Sequence, residues 1–410
     1  MAGAGGVAGC QEIRVISDML PPGQAIYVPG SVGQMERETL WRDEHGLHFA
    51  WNAEISDAVG GSSIGSRLVI STFDPASGES VGHRVFPKFA FSGVARSPNG
   101  VVCLLGLIGD GTTITTGALL IDQNDPKVET FVPIYAGSAL GLHVGWDGEA
   151  FALHFYQSST GLEVARVSEA GQLLMQPAVF GVVVGYLTEL RLSTDPVSGV
   201  SFAVSGQFVE KPWIAAHTRD GKPVAGTESL GGKILPVNGE LGQATGVASN
   251  AVQGVAGGVL VAWAIAGTNP DAMTVMQRID SSLNAVGDAV LVKPTEVNGY
   301  HTTKRWLTTQ EQPGGWWVGA GGPYFLESVR RDAAGVTVEN ISSYEKVETG
   351  QEILDYRHLG SARYGDELWL GFEDQTAGLS MGGKLYQPYR IVRILPGCKY
   401  PSVWDLAKKK

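Results

Sequence analysis

Apolar residues in this chain fall in short runs, each closed by a cluster of Gly, Asp, Asn, Pro or Ser. The stretch LHVGWDGEAFALHFYQ, residues 142–157, shows the pattern in full, with apolar and aromatic residues on both sides of one Asp-Gly turn. Two strands joined by a tight turn read this way. With Gly148 as a marker, the same turn and Gly/Ala-rich strand recur after Gly46 (LHFAWNAE), Gly100 (VVCLLGLIG), Gly199 (VSFAVSGQF), Gly258 (VLVAWAIAG), Gly315 (WWVGAGG) and Gly365 (DELWLGFED). Each is followed by a third apolar strand, among them RLVISTF, LEVARV, TVMQRID and YRIVRIL, and preceded by a shorter apolar piece such as GVARS, LHVGW or ELRLS. A fourth piece follows most of the second turns, which gives four strands per unit. No segment has the amphipathic period of a crossover helix.

The seven markers lie 48 to 59 residues apart, a period of about 50 that falls in the range of propeller blades. A four-stranded sheet cannot bury both faces alone, and stacking such sheets around an axis buries them without leaving long edges. The chain therefore resembles the seven-bladed β-propellers, an all-β fold of four-stranded antiparallel blades. The resemblance rests on period. Trp146-Asp147 and Trp404-Asp405 do not recur at blade spacing as in WD40 repeats, and Gly257-Gly258, Gly314-Gly315 and Gly321-Gly322 lack the rest of a kelch repeat. Ser193-Thr194-Asp195 departs from a sialidase Asp box at Pro196. Two packed β-sandwiches, the competing fold, would not keep seven units in phase. Residues 1–10 read as a flexible leader and 11–410 as one propeller domain. Within it, 11–45 holds a closing strand, QEIRVISD, and a lead-in to the first unit. Small residues in the second strands, such as Ala203, Ala262, Gly319 and Gly371, would let neighbouring sheets approach closely.

Composition supports this reading and narrows the function. Gly is 56 of 410 residues and charged residues are only 17%, which suits many short strands and tight turns rather than long surface helices. A net charge of −11 argues against a nucleic-acid partner held through its phosphates. No apolar run is long enough to form a membrane helix. Val7-Ala8-Gly9-Cys10 resembles a lipobox, so membrane contact is expected only if Cys10 is lipidated; the other reading is a Gly/Ala leader with an incidental Cys. Cys103, in VVCLLGLI, is expected in the core, whereas Cys10 and Cys398 lie near opposite ends that a closed ring would bring together for a disulfide.

Candidate chemistry gathers on the inner strands. Arg42, Arg96, His143 and Arg191 precede their markers by four to eight residues, and Arg305 and Arg357 occupy the matching strands of units six and seven. Converging on the axis, they would form an electropositive pocket for a carboxylate, sulfate or phosphate group. The alternative is that each Arg is solvated or paired with a nearby carboxylate. Asp110, Asp122, Asn124 and Asp125 have Ca²⁺-loop chemistry but no EF-hand spacing, and Asn-Asp-Pro reads as a turn. There is no G-x-S-x-G elbow and no metal-type pair among the eight His, and His154 in FALHFYQ reads as a core or interblade residue. No cofactor or metal is expected. Aromatic residues cluster at Trp316-Trp317, Tyr324-Phe325 and Tyr386–Tyr389, as in surfaces that recognise sugars and proteins. The expectation is a bacterial-type secreted or cell-envelope propeller acting as a binding or scaffold module for a protein or glycan. The alternative is a carbohydrate-active propeller enzyme, a hydrolase or lyase on an acidic sugar.

Overall fold

The computed structural model describes residues 12–15, 27–29, 40–56, 63–109, 113–125, 128–181, 190–205, 213–226, 233–236, 247–265, 274–292 and the strands lying between 306 and 394. All the regular structure among these residues is β. Six antiparallel sheets have four strands, one has five, and a separate hairpin joins Leu379–Met381 to Lys384–Tyr386. In each of the larger sheets, strands adjacent in the chain are adjacent in space, apart from the closing strand of the last sheet and the extra strand of the first.

The inner strands are Leu40–Asp43, Phe89–Arg96, Leu140–Trp146, Arg191–Thr194, Val247–Val255, Trp306–Gln312 and Tyr356–Tyr364. Each touches the next, and the last touches the first. A ring of inner strands with the remaining strands radiating outward is a β-propeller. At the seam, Glu12–Val15 forms the outer strand of the last sheet, pairing antiparallel with Tyr389–Ile394 so that Glu12 faces Val392 and Val15 faces Tyr389. The first sheet is wider than its sequence suggested. Leu40–Asp43 pairs with only the first part of the long strand Gly46–Ser56, and Tyr27–Pro29, in the segment read as a lead-in, pairs with Ala53–Ile55 at its far end.

The core lies between sheets. Trp41, Leu68 and Phe86 of the first sheet meet Phe89, Leu104 and Ile121 of the second. Cys103 and Leu105 of the second meet Phe151, Leu153 and Phe155 of the third. Phe202 and Ile214 of the fourth meet Trp263 and Val275 of the fifth. Each large side chain removed from water in this way contributes about 1.5–3 kcal/mol. Close approach near the axis requires glycine. A Cβ on Gly254 would lie 1.8 Å from the Thr194 carbonyl oxygen of the neighbouring inner strand, and one on Gly148, at φ +93°, would lie 2.5 Å from that of Pro196.

Candidate binding site on the propeller axis

Carboxylates fix the ends of several inner strands. Asp43, Asp147 and Asp195 end the inner strands of the first, third and fourth sheets and are fully buried. Each sits in the turn to the second strand, where it accepts hydrogen bonds from turn amides: His45 N at 2.8 Å, Ala150 N at 2.8 Å and Val197 N at 2.9 Å respectively. The outer turn of the following sheet then clasps this turn in two cases. Arg219 of the fourth sheet donates to the Asp147 carbonyl at 2.6 Å and pairs with Glu149 at 2.5 Å, and Ser281 of the fifth donates to Asp195 at 3.0 Å. Asn99 in the second sheet's turn reaches Glu169 of the third at 2.9 Å.

These anchored strand ends surround a cavity of about 490 Å³, walled by inner-strand residues of six sheets. Trp41, Arg42, Arg96, His143, Trp146, Ser193, Thr194 and Gln253 supply its aromatic and polar wall, and no Asp or Glu lines it among the described residues. Two polar atoms covered at this wall, Trp41 Nε1 and His143 Nε2, have no hydrogen-bond partner among the described residues. The Trp41 ring stacks on His48 with centroids 5.1 Å apart.

Three of the six sequence-derived cations therefore border one space: Arg42, Arg96 and His143. Arg42 Nη1 donates to the carbonyl of Gly46 at 3.1 Å. Arg96 Nε donates to Gln123 Oε1 at 2.9 Å, and its guanidinium lies 3.8 Å from Asp43 and 3.4 Å from Glu44. The Asp43 carboxyl has its ionisation opposed by burial, yet the hydrogen bond and charge of His48, the His45 amide and Arg96 hold it below the ordinary carboxylate value. Burial pushes the His143 imidazole down to about 4, so it is neutral near pH 7. Arg191 does not line the cavity; it is half-buried, with Nη1 3.3 Å from the Leu190 carbonyl. Arg305 lies outside the described residues, as do Cys10 and Cys398. The backbone of Arg357 pairs with Glu373, and its side chain lies outside the described residues.

Other sequence candidates resolve differently. Asp122 accepts from the Asn124 amide at 2.8 Å and the Val128 amide donates to the Asp125 carbonyl, so this segment is a hydrogen-bonded turn, while Asp110 lies outside the described residues. Cys103 is buried and its thiol is pushed up by burial. Trp316, Trp317, Phe325, Tyr386 and Tyr389 sit on strands, with side chains outside the described residues, and Tyr324 lies outside them altogether.

Two networks went unread in the sequence. In the first sheet, His48 bridges Asp43 Oδ1 and Thr72 Oγ1, each at 3.0 Å. Between the third and fourth sheets, three imidazoles share one seam. His143 and His154 are cross-strand partners with ring centroids 5.5 Å apart. His154 also shares its face with Val164, which packs against Ala203 and Ala215 of the fourth sheet. His217, two residues beyond Ala215, is on that same face. Burial above all, and then the charges of His143 and His217, lower His154 well below the ordinary histidine value. Acids at the inner-strand ends and a His within the FALHFYQ strand were the available signals for these networks.

No family model matches the chain, and no curated protein matches it. Among solved structures it is similar to the polysaccharide lyase Uly1, with 10% identity over 93% of this chain and 98% of that one and a TM-score of 0.51. It is also similar to a prolyl endopeptidase, with 10% identity and a TM-score of 0.46 over 86% of this chain and 49% of that one. An uncharacterized protein from Listeria monocytogenes EGD-e gives 9% identity and a TM-score of 0.42 over 91% and 97% of the two chains. At 10% identity the likeness to the lyase is one of fold.

Proposed function

We propose that this protein is a seven-bladed β-propeller that recognises a glycan, with the axial cavity as the place where a sugar unit enters. The carrying observation is the composition of that cavity: two Trp, two Arg, one His and hydroxyl and amide side chains, with no carboxylate among its described lining. Aromatic faces and convergent donors suit a sugar ring better than an apolar ligand, and a volume of about 490 Å³ suits a ligand of one or two rings. The partly paired state of Arg96 favours hydrogen bonding to hydroxyls beside charge recognition. A glycan-recognising module of this kind fits a secreted or cell-envelope setting.

A second reading is a carbohydrate-active propeller enzyme on an acidic sugar. Its support is the full-length likeness of fold to a polysaccharide lyase, together with the two Arg and the His at one cavity. One experiment addresses both: melting temperatures of the full chain with neutral and uronate oligosaccharides, with ultraviolet absorbance followed in the same mixtures for unsaturated products. Stabilisation without new absorbance supports the binding module, and absorbance growth supports the enzyme. No stabilisation by any saccharide sinks the glycan reading.

A further inference from the structure

We propose that an anionic group entering the axial cavity binds together with a proton taken up by His143, so that the cavity holds acidic ligands more tightly in acid than near neutrality. This rests on the axial cavity being the ligand site and adds the regulation of that site.

His143 is 9% exposed, lines the cavity, and has Nε2 without a hydrogen-bond partner among the described residues. The groups around it are basic, neutral or already engaged. On its own hairpin it faces His154, with ring centroids 5.5 Å apart. From the fourth sheet, Thr194 lines the same wall, Arg191 lies on that strand, and His217 acts on His154. From the second sheet, Gly93 packs against the His143 backbone and Arg96 lies further along the strand, bound to Gln123 and near Asp43 and Glu44. From the first sheet, Arg42 borders the cavity. The carboxylate at the end of its own strand, Asp147, is held by Arg166 at 2.6 Å and by turn amides.

No carboxylate among the lining residues can serve as the counter-charge of a His143 imidazolium, so an anionic ligand supplies it. An anion in contact favours the charged imidazole. The bound-state pKa then exceeds the free value of about 4. Affinity rises as pH falls through the bound-state pKa and levels off below the free value, where both forms carry the proton. Between those limits the gain approaches about tenfold per pH unit, one proton being taken up per anion.

The test follows the histidine ring resonances of the full chain while sodium sulfate is added at about pH 5 and about pH 8, a range over which sulfate keeps its charge while a histidine changes its own. Glucose serves as a neutral probe, and His143→Gln identifies the His143 signal. The expected result is tighter sulfate binding at the lower pH, a His143 signal that titrates at higher pH with sulfate present, and glucose binding indifferent to pH. Should His143→Gln fail to fold, the buffer dependence of the binding heat of the unmodified protein still reports proton uptake. Sulfate binding of equal strength at both pH values, or a pH slope that survives in His143→Gln, overturns the proposal and leaves the glycan site standing. Absence of sulfate binding at either pH overturns the proposal, and the glycan reading is then decided separately by the saccharide series.

Discussion

At the scale of single residues, the seam between the third and fourth sheets differs from its neighbours. The other described seams are closed by Phe, Trp, Leu and Val, whereas this one buries His143, His154 and His217 beside a small apolar cluster. A histidine whose folded-state pKa is depressed binds its proton more readily in the unfolded chain. Its stability contribution is complete above the unfolded value of about 6.5 and is lost as pH falls from there towards the folded value. For His143, with a folded value of about 4, that loss is about 3 kcal/mol. The melting temperature of the unmodified protein should therefore drop steeply between about pH 6.5 and about pH 4. His154→Leu should make that drop shallower, and thermal melts at stepped pH check it; an unchanged pH profile would show that the imidazoles do not govern acid lability. The sequence signalled His154 as a core or interblade residue because it stands in an unbroken apolar strand. It did not signal the grouping of the three, because His217 reaches the seam from a strand some 60 residues away.

At the scale of elements, the strands were legible because turn glycines and period-two patterning agree. Units two to five show it best, with inner strands and marker turns where the pattern places them. The split edge of the first sheet was not legible, since Pro21, Pro22 and Pro29 read as turn or linker and Tyr27–Pro29 is short. The hairpin Leu379–Tyr386 was also hidden, its Tyr386 reading as part of a recognition cluster with Tyr389. The cross-sheet clasps were invisible because their partners are distant: Arg219 and Asp147 are separated by 72 positions. Arg219 donates to two carbonyls, of Asp147 and Val197, and pairs with the exposed Glu149. Arg219→Ala should lower stability by about 1–3 kcal/mol, chiefly through the carbonyl left without its donor. Chemical denaturation would check this, with protection from amide exchange lost first in the turn holding Gly148. Equal stability of the variant would mean that turn packing alone holds the two sheets.

At the scale of the whole molecule, closure of the ring covers a sheet edge and brings the cavity walls together. Glu12–Val15 covers the edge of the last sheet through its pairing with Tyr389–Ile394, and an uncovered edge is both destabilised and prone to pair with other chains. Removing residues 11–18 should lower the melting temperature by several degrees and promote self-association, read by light scattering; a variant that melts and scatters as the unmodified protein would show that the seam does not depend on this strand. The ring also assembles the cavity, whose wall draws residues from strands as far apart in the chain as Leu40–Asp43 and Tyr356–Tyr364. Spacing along a chain is blind to such a site, although its cations were visible one by one.

Whether the axial cavity is a glycan site is decided at Trp146. This residue lines the cavity, and its ring meets Phe151 edge-on at 5.1 Å. Aromatic stacking on a ligand is worth on the order of 1 kcal/mol or more. The measurement is a calorimetric titration of the unmodified protein and of Trp146→Ala with the oligosaccharide that stabilises the unmodified chain most, with the fold of the variant checked by circular dichroism. A sugar stacked on Trp146 predicts a loss of affinity of about fivefold or more in the folded variant. Unchanged affinity in a folded Trp146→Ala would place the sugar elsewhere and contradict a glycan site in the cavity.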